Sequence, residues 1–407
     1  MRKLKILEIA QNVWRKEVSG MPTIYLTRKE LIRRGHDVHY TIPSAGDMYD
    51  EHEEEHEGVK IHKFWMPFYD DRPEQFGEGA GFVLAKMQYF IFQFLGAFKL
   101  SRLAKKIDPD IIYSHGPYGI PIGSFVARLR DIPNVSRTYG HVLYSTYSPF
   151  RRFLNFELPY AMKHPAALYI IGDDGTKVKS LSEEWGVPGH KAHYLVDGHD
   201  KDAYDPSFDA ENFKREIGIP PDSRVILSMA SLTKLKRTED VVRAMPDVLK
   251  RYGDVYHVVV GHGPERENLE RLAQSLGVGE RVRFMGRVPH SEVHRFFNIA
   301  DIVAAIWSIG PLFEGMLSEK CVVTLDLGET DRFVKNMETG VLIEYPDLER
   351  LQDVFIPLLD DDELRKRIGK NARQWAVENL DTIEERISKE IDLIEWTVEQ
   401  WERTERS

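Results

Sequence analysis

Short apolar runs along this chain alternate with longer stretches in which apolar residues recur every three or four positions. That is the pattern of strands followed by amphipathic helices in a doubly wound α/β fold. The apolar runs predict strands at 5–10, 37–42, 59–64, 111–114, 135–138, 168–171 and 192–196, with helices between them at 23–34, 82–107, 120–130, 151–163 and 175–185. The alternation then restarts, with strands at 225–229, 257–260, 282–284, 302–305, 322–325 and 341–343 and helices opening near Thr238, Glu265, Ser291, Phe313 and Thr330. From Asp347 onward the pattern is helical, over 348–359, 363–378 and 383–401, and the amphipathic last segment is expected to pack across a domain surface.

Between the two runs, residues 196–221 are rich in Asp, Gly and Pro and carry little periodicity apart from 211–217, which reads as a linker. The expected organisation is a Rossmann-like domain over 1–200, a linker over 201–221, a second Rossmann-like domain over 222–380, and a segment 381–407 that returns to the first domain. The length of 407 residues, beyond what one core usually serves, agrees with two domains, and 42% hydrophobic residues suffice for two cores. A net charge of -10 speaks against general nucleic-acid affinity, and no nucleic-acid partner is expected. Cys321 is the single cysteine, so a disulfide framework and a cysteine metal site are excluded. The chain runs from Met1 straight into its first strand without a signal-type apolar region, which points to the cytoplasm.

One window complicates that picture. Residues 82–106 combine a dense aromatic run with Lys99, Arg102, Lys105 and Lys106. Such a segment is either a helix buried under the first sheet or a peripheral contact with the inner membrane face, and the exposure of its aromatics separates the two. The acidic run 50–57, with His52 and His56, reads as a solvated loop rather than a metal site. Asp108-Pro109-Asp110 and Asp360-Asp361-Asp362 read as turn and capping residues.

Candidate chemistry collects where strands of the second half end. The strand 225–229 runs into small residues, presents Lys234 and Lys236 and opens a helix. The strand before Gly261-His262-Gly263-Pro264 ends in a glycine turn, and Glu314 stands at the head of another helix before the apolar run 322–325. A lysine at a helix entrance suits a diphosphate, and a carboxylate suits ribose hydroxyls. Strand endings of this kind on one edge of a parallel sheet make a nucleotide site.

These residues, with Ser19-Gly20-Met21, Arg34-Gly35-His36-Asp37, Asp108 to His115, Thr138-Tyr139-Gly140-His141, Val196 to Asp200 and Val282 to Val288, follow one another in an order and spacing that resembles the retaining GT-B glycosyltransferases of family four, from Ile6 to about Ile387. The resemblance implies two Rossmann-like domains facing each other across a cleft, with C-terminal helices crossing back. It implies a nucleotide-diphosphate sugar as donor substrate, no cofactor, no bound metal, and a glycan, lipid-linked or small-molecule acceptor. It places Gly20 near the donor phosphates and acceptor, His141 on the transferred sugar, and Lys236 beside the departing diphosphate. Ser231 and Lys234 fall in the same diphosphate loop, Gly261 and Gly263 in the donor turn, Arg287 and Val288 at the base, Gly310 in the loop whose amides cradle the sugar, and Glu314 on the ribose.

The chain departs from the family pattern in three places. Ser231 stands where an arginine is usual, Ile306 stands where the first of two glutamates is usual, and the loop 307–312 is short. Those departures keep open a sugar-nucleotide or glycan binder that has lost transfer, and a nucleotide-sugar epimerase as a third reading.

Overall fold

The strands of the first half assemble into a sheet that is parallel everywhere except at one edge. In the computed structural model, which describes residues 2–11, 22–45, 53–70, 78–140, 144, 148–202, 204–344 and 347–405, they are β1 (Lys5–Ile9), β2 (Asp37–Ser44), β3 (Glu53–His56), β4 (Val59–Trp65), β5 (Ile111–His115), β6 (Asn134–Thr138), β7 (Leu168–Gly172) and β8 (Ala192–Leu195). Their order among the described residues is β3-β4-β2-β1-β5-β6-β7-β8, so the winding reverses between β1 and β5. Because strand side chains alternate in direction, neighbouring residues serve opposite faces. Leu7, Ile9 and Ile112 meet helices α2 (Glu78–Ile107) and α3 (Gly116–Arg130) on one face. Ile6, Val38 and Tyr113 meet α1 (Pro22–Arg33) on the other.

Two expectations for this half are corrected. In the described part of the acidic run, 53–57, residues 53–56 form not a loop but the antiparallel edge strand β3, paired with β4 from Glu53 opposite His62 to His56 opposite Val59. Its all-polar sequence has no apolar alternation to announce a strand, yet charged residues suit a sheet edge, and Lys63 Nζ donates to Glu54 Oε1 at 2.7 Å. The segment 151–163 is two helices, α4 (Pro149–Leu154) and α5 (Glu157–Met162). Asn155 closes the first by donating from both its backbone N–H and its side-chain amide to the Arg151 carbonyl.

The second sheet, also parallel, contains β9 (Arg224–Met229), β10 (Val255–Val260), β11 (Val282–Gly286), β12 (Ile302–Ala304), β13 (Cys321–Leu325) and β14 (Val341–Ile343) in the order β11-β10-β9-β12-β13-β14. The first half ends with α6 (Val178–Glu184), and the helices of the second sheet's half are α7 (Ala210–Glu216), α8 (Thr238–Arg251), α9 (Arg266–Ser275), α10 (His290–Ile299), α11 (Ile309–Leu317), α12 (Gln352–Asp360) and α13 (Asp362–Asn379). The helix expected near Thr330 is a single turn, Thr330–Arg332. There Asp326 and Thr330 side chains take the amides of Gly328 and Leu327 at 2.8 and 2.9 Å, local bonds that compete with helix propagation.

The chain divides into two units, Met1–Gly198 with Ile383–Ser407 and His199–Thr382. Helix α14 (Ile383–Glu405) therefore belongs to the first unit, where Ile387, Ile391 and Ile394 enter the same core as Ile6 and Val38. It also brings in a buried carboxylate. Glu390 accepts from Tyr113 Oη at 2.6 Å and lies 2.7 Å from Arg386 and 3.3 Å from Arg137. Burial alone would raise its pKa, but Arg137, Arg386 and the Tyr113 hydrogen bond hold it down at about 2.

A carboxyl depressed from 4.5 to about 2 contributes stability that is complete above the unfolded value and is lost as pH falls through that window. Glu390→Gln is expected to flatten this acid limb. At neutral pH it leaves two buried guanidiniums without their counter-charge, at a cost of about 3–5 kcal/mol. Urea unfolding at a series of pH values checks both, and a wild-type midpoint for the variant would refute the pairing.

Candidate functional site

In the second unit the strand order reverses between β9 and β12, and a parallel sheet opens a crevice at the carboxyl ends of such a pair. The loops that follow these strands carry the candidate residues. After β9 come Ser231 and Lys234, both exposed, and then Lys236, whose Nζ donates to the Trp307 carbonyl at 2.8 Å. Trp307 follows β12 and takes a left-handed φ of 54°, which turns the chain into Ser308 and α11. The lysine ammonium thus lies against the loop that opens α11.

That helix start is an anion-seeking arrangement. The N-cap residue Ser308 makes no side-chain cap bond among the described residues, so the leading amides of α11, Gly310 among them, point outward with the positive end of the helix dipole. Ser308 is buried, and its hydroxyl has no hydrogen-bond partner among the described residues. Glu314, one and a half turns into the helix, has no ion-pair partner there either, and burial pushes its carboxyl up to about 7. Ile306, in the place of the family's first glutamate, is buried among the apolar residues.

The glycine turn after β10 is locked against the Lys236 loop backbone to backbone. Ala230 N–H donates to the Val260 carbonyl, Leu232 N–H to the His262 carbonyl, and Glu265 N–H back to the Leu232 carbonyl, at 3.0, 3.1 and 3.0 Å. A Cβ at Gly261 would lie 1.8 Å from the Ala230 carbonyl oxygen, and one at Gly263 would lie 2.3 Å from that of Leu232. These glycines are therefore required by the contact between loops, whatever else approaches them. Gly261 N–H extends the lock to the Gly286 carbonyl at 2.8 Å, which ties in the turn bearing exposed Arg287 and half-buried Val288.

In the first unit, Gly20 and His141 lie outside the described residues, but the backbone leading to His141 is closely held. A Cβ at Gly140, φ +98°, would fall 2.1 Å from Asp174 Oδ2. Tyr139 Oη bonds His115 Nδ1 at 2.6 Å, and the other His115 nitrogen lies 3.2 Å from Glu8, which pairs with Arg28 at 2.7 Å. Burial would raise the Glu8 pKa, but Arg28 and His115 lower it on balance, while burial pushes the His115 imidazole down. Composition of the strand offered the signal for this cluster, since Glu8 is a charge inside the apolar run Ile6 to Ile9. No side-chain signal could have revealed Trp307, because it acts through its carbonyl.

Residues 209–375 match the family described as Glycosyl transferases group 1, and residues 23–202 match Glycosyltransferase Family 4. The chain belongs to this glycosyltransferase family, and its two Rossmann-like sheets make the GT-B fold. It is 30% identical to a D-inositol 3-phosphate glycosyltransferase of Corynebacterium efficiens over 289 residues, covering 66% of this chain and 68% of the relative. It is 27% identical to a GDP-mannose-dependent alpha-(1-6)-phosphatidylinositol monomannoside mannosyltransferase of Mycolicibacterium smegmatis, covering 70% and 76%. The structure of Anabaena HepE in complex with UDP-glucose superposes with a TM-score of 0.68 at 18% identity, over 96% of this chain and 99% of that one.

Two outcomes follow for the second unit. Gly261→Ala, at φ +141° and facing a carbonyl that belongs to the main chain, is expected to cost about 3 kcal/mol or more, read as a lower urea midpoint. For Glu314 the folded pKa is raised, from 4.5 to about 7, so its contribution to stability is greatest below pH 4.5 and is lost as pH rises to about 7. The melting temperature of Glu314→Gln should therefore gain on wild type across that interval and hold level above it. A difference independent of pH would show that this carboxyl is not desolvated.

Proposed function

We propose that the protein is a retaining glycosyltransferase that moves a sugar from a nucleotide-diphosphate donor to the hydroxyl of a glycan, lipid-linked or small-molecule acceptor. The observation that carries this reading is the Lys236 ammonium fixed at 2.8 Å from the Trp307 carbonyl, beside the uncapped start of α11. As the bond between anomeric carbon and phosphate oxygen breaks, negative charge grows on the diphosphate. A fixed cation and aligned amides stabilise that charge without reorganising. The acceptor oxygen bonds to the anomeric carbon on the same face, and its proton passes to the departing phosphate oxygen, so the step needs positioning rather than an enzyme nucleophile.

In this scheme Lys236, Ser231, Lys234 and the Gly310 amide hold the diphosphate, and Glu314 accepts from the ribose. The backbone about Arg287 and Val288, carried by the turn that Gly261 and Gly263 lock, faces the base. Gly20 and His141 of the first unit take the acceptor and the transferred sugar. The nucleotide sugar is itself consumed, so neither a resident cofactor nor a metal is part of the proposal. The sugar nucleotides named for the Anabaena complex and the Mycolicibacterium enzyme, UDP-glucose and GDP-mannose, support the donor class and leave the base open.

A second reading is favoured by one observation. Buried Ile306 and the small Ser231 remove two polar grips on the donor, as in a protein that binds sugar nucleotides without splitting them.

Lys236→Ala should lower sugar release from a nucleotide-sugar panel by about 10²–10³-fold. Its melting temperature should fall by several degrees with the fold retained, because a hydrogen bond from a charged donor to a carbonyl contributes about 1.5–3 kcal/mol. Wild-type turnover in the variant would remove Lys236 from the mechanism. Tight nucleotide-sugar binding by the wild type with no release or transfer would establish the second reading instead.

A further inference from the structure

Helix α2 is amphipathic in an unusual sense, because both of its faces are apolar. Its inner face, through Phe92, Leu100 and Ala104, belongs to the core beneath the sheet. Its outer face carries Phe90, Phe94 and Phe98 at four-residue spacing, exposed by 59%, 78% and 56%. Neither a wholly buried helix nor a solvated one explains that outer stripe.

The stripe does not stand alone. Phe156, between α4 and α5, packs against Phe90 with ring centroids 6.1 Å apart and the rings tilted by 31°, and Phe153 of α4 is 76% exposed. On the other flank α3 packs closely enough that a Cβ at Gly96 would meet Ile122 at 2.8 Å, and α3 exposes Phe125 and Leu129. Arg130 Nη2 donates to the Ser101 carbonyl at 3.3 Å, which joins the end of α3 to the end of the stripe.

Charge identifies what covers this face. After Glu78 neither α2, α3 nor α4 contains an acidic residue, whereas the whole chain carries -10. Exposed Arg102, Lys105, Arg128 and Arg151 border the aromatics. An apolar centre rimmed by cations in an acidic protein complements a surface that is itself apolar inside and anionic outside.

We propose that the α2–α3–α4 face of the first unit docks on an anionic phospholipid bilayer, with the phenylalanines inserted at the acyl boundary and the basic side chains among the phosphates. Although α2 is long and apolar enough to cross a membrane, its inner face is core, so it lies on the surface and does not span. The proposal stands independently of sugar transfer.

Co-sedimentation of the full chain with vesicles of phosphatidylcholine, alone or mixed with phosphatidylglycerol, tests it. Wild type should sediment with the anionic vesicles and not with the neutral ones, and added salt should weaken the binding. The double variant Phe94→Ser/Phe98→Ser should bind roughly tenfold less at an unchanged melting temperature. As a control, Trp396→Ser, which removes an exposed ring from α14 on the opposite side of the sheet, should bind as wild type does. The proposal fails if wild type ignores both vesicles, if the double variant binds undiminished, or if wild type is a dimer in solution that the double variant disperses without any vesicle binding.

Discussion

The hydrogen bond from Lys236 to the Trp307 carbonyl spans the place where the second sheet reverses its winding, and the candidate site is organised around it. Strands β9 and β12 are neighbours in space although three helices and two strands separate them in sequence. Their trailing loops would diverge without a tie, because each must turn toward a different helix. A charged donor to a carbonyl contributes about 1.5–3 kcal/mol. That is enough to offset the left-handed turn at Trp307, which costs a non-glycine residue roughly 1–2 kcal/mol. The lysine therefore holds open the turn that presents the start of α11.

The glycine turn after β10 supplies the complementary constraint. With main chain packed against main chain, the loops after β9, β10 and β11 are tied into one edge whose backbone has little to reorder when an anion arrives. Preorganisation of this kind is what an electrostatic role demands, since a dipole that must reorient during reaction gives back much of its benefit. Beside this edge, at the start of α11 and within it, the buried Ser308 hydroxyl has no hydrogen-bond partner and the desolvated Glu314 carboxyl no ion-pair partner among the described residues. Polar groups left so in a rigid frame are readily explained by a ligand that supplies the missing partners.

What could be read from the sequence follows the same division. The parallel strands are legible because burial on both faces makes them continuous apolar runs, and β9 to β14 lie within a residue or two of expectation. Strand β3 was hidden by its charges, the division of α4 from α5 by an asparagine that closes a turn, and the missing helix at Thr330 by side chains that capture the backbone. At the site, a cation and a carboxylate can be seen in a sequence, so Lys236 and Glu314 stand out. A carbonyl cannot, so their partner at Trp307 does not. The locking role of Gly261 and Gly263 is equally invisible, because a glycine that faces a ligand and one that faces another loop are the same letter.

The first unit shows a constraint of another kind. Its sheet is covered on one side by α1 and α14, the latter anchored by a carboxylate that no water reaches, and on the other by α2 and α3. A helix in an outer layer has one neighbour beneath it and nothing above, so its fold accounts only for the inner stripe of apolar residues. Polar residues at positions 94 and 98 would serve the core equally well and keep the surface more soluble. Aromatic residues there are explained by neither folding nor solubility, and the basic border excludes a simple excess of hydrophobicity. If that face docks on a bilayer as proposed, the property selected there is affinity for something apolar and anionic, which is a property of interaction and not of the domain itself.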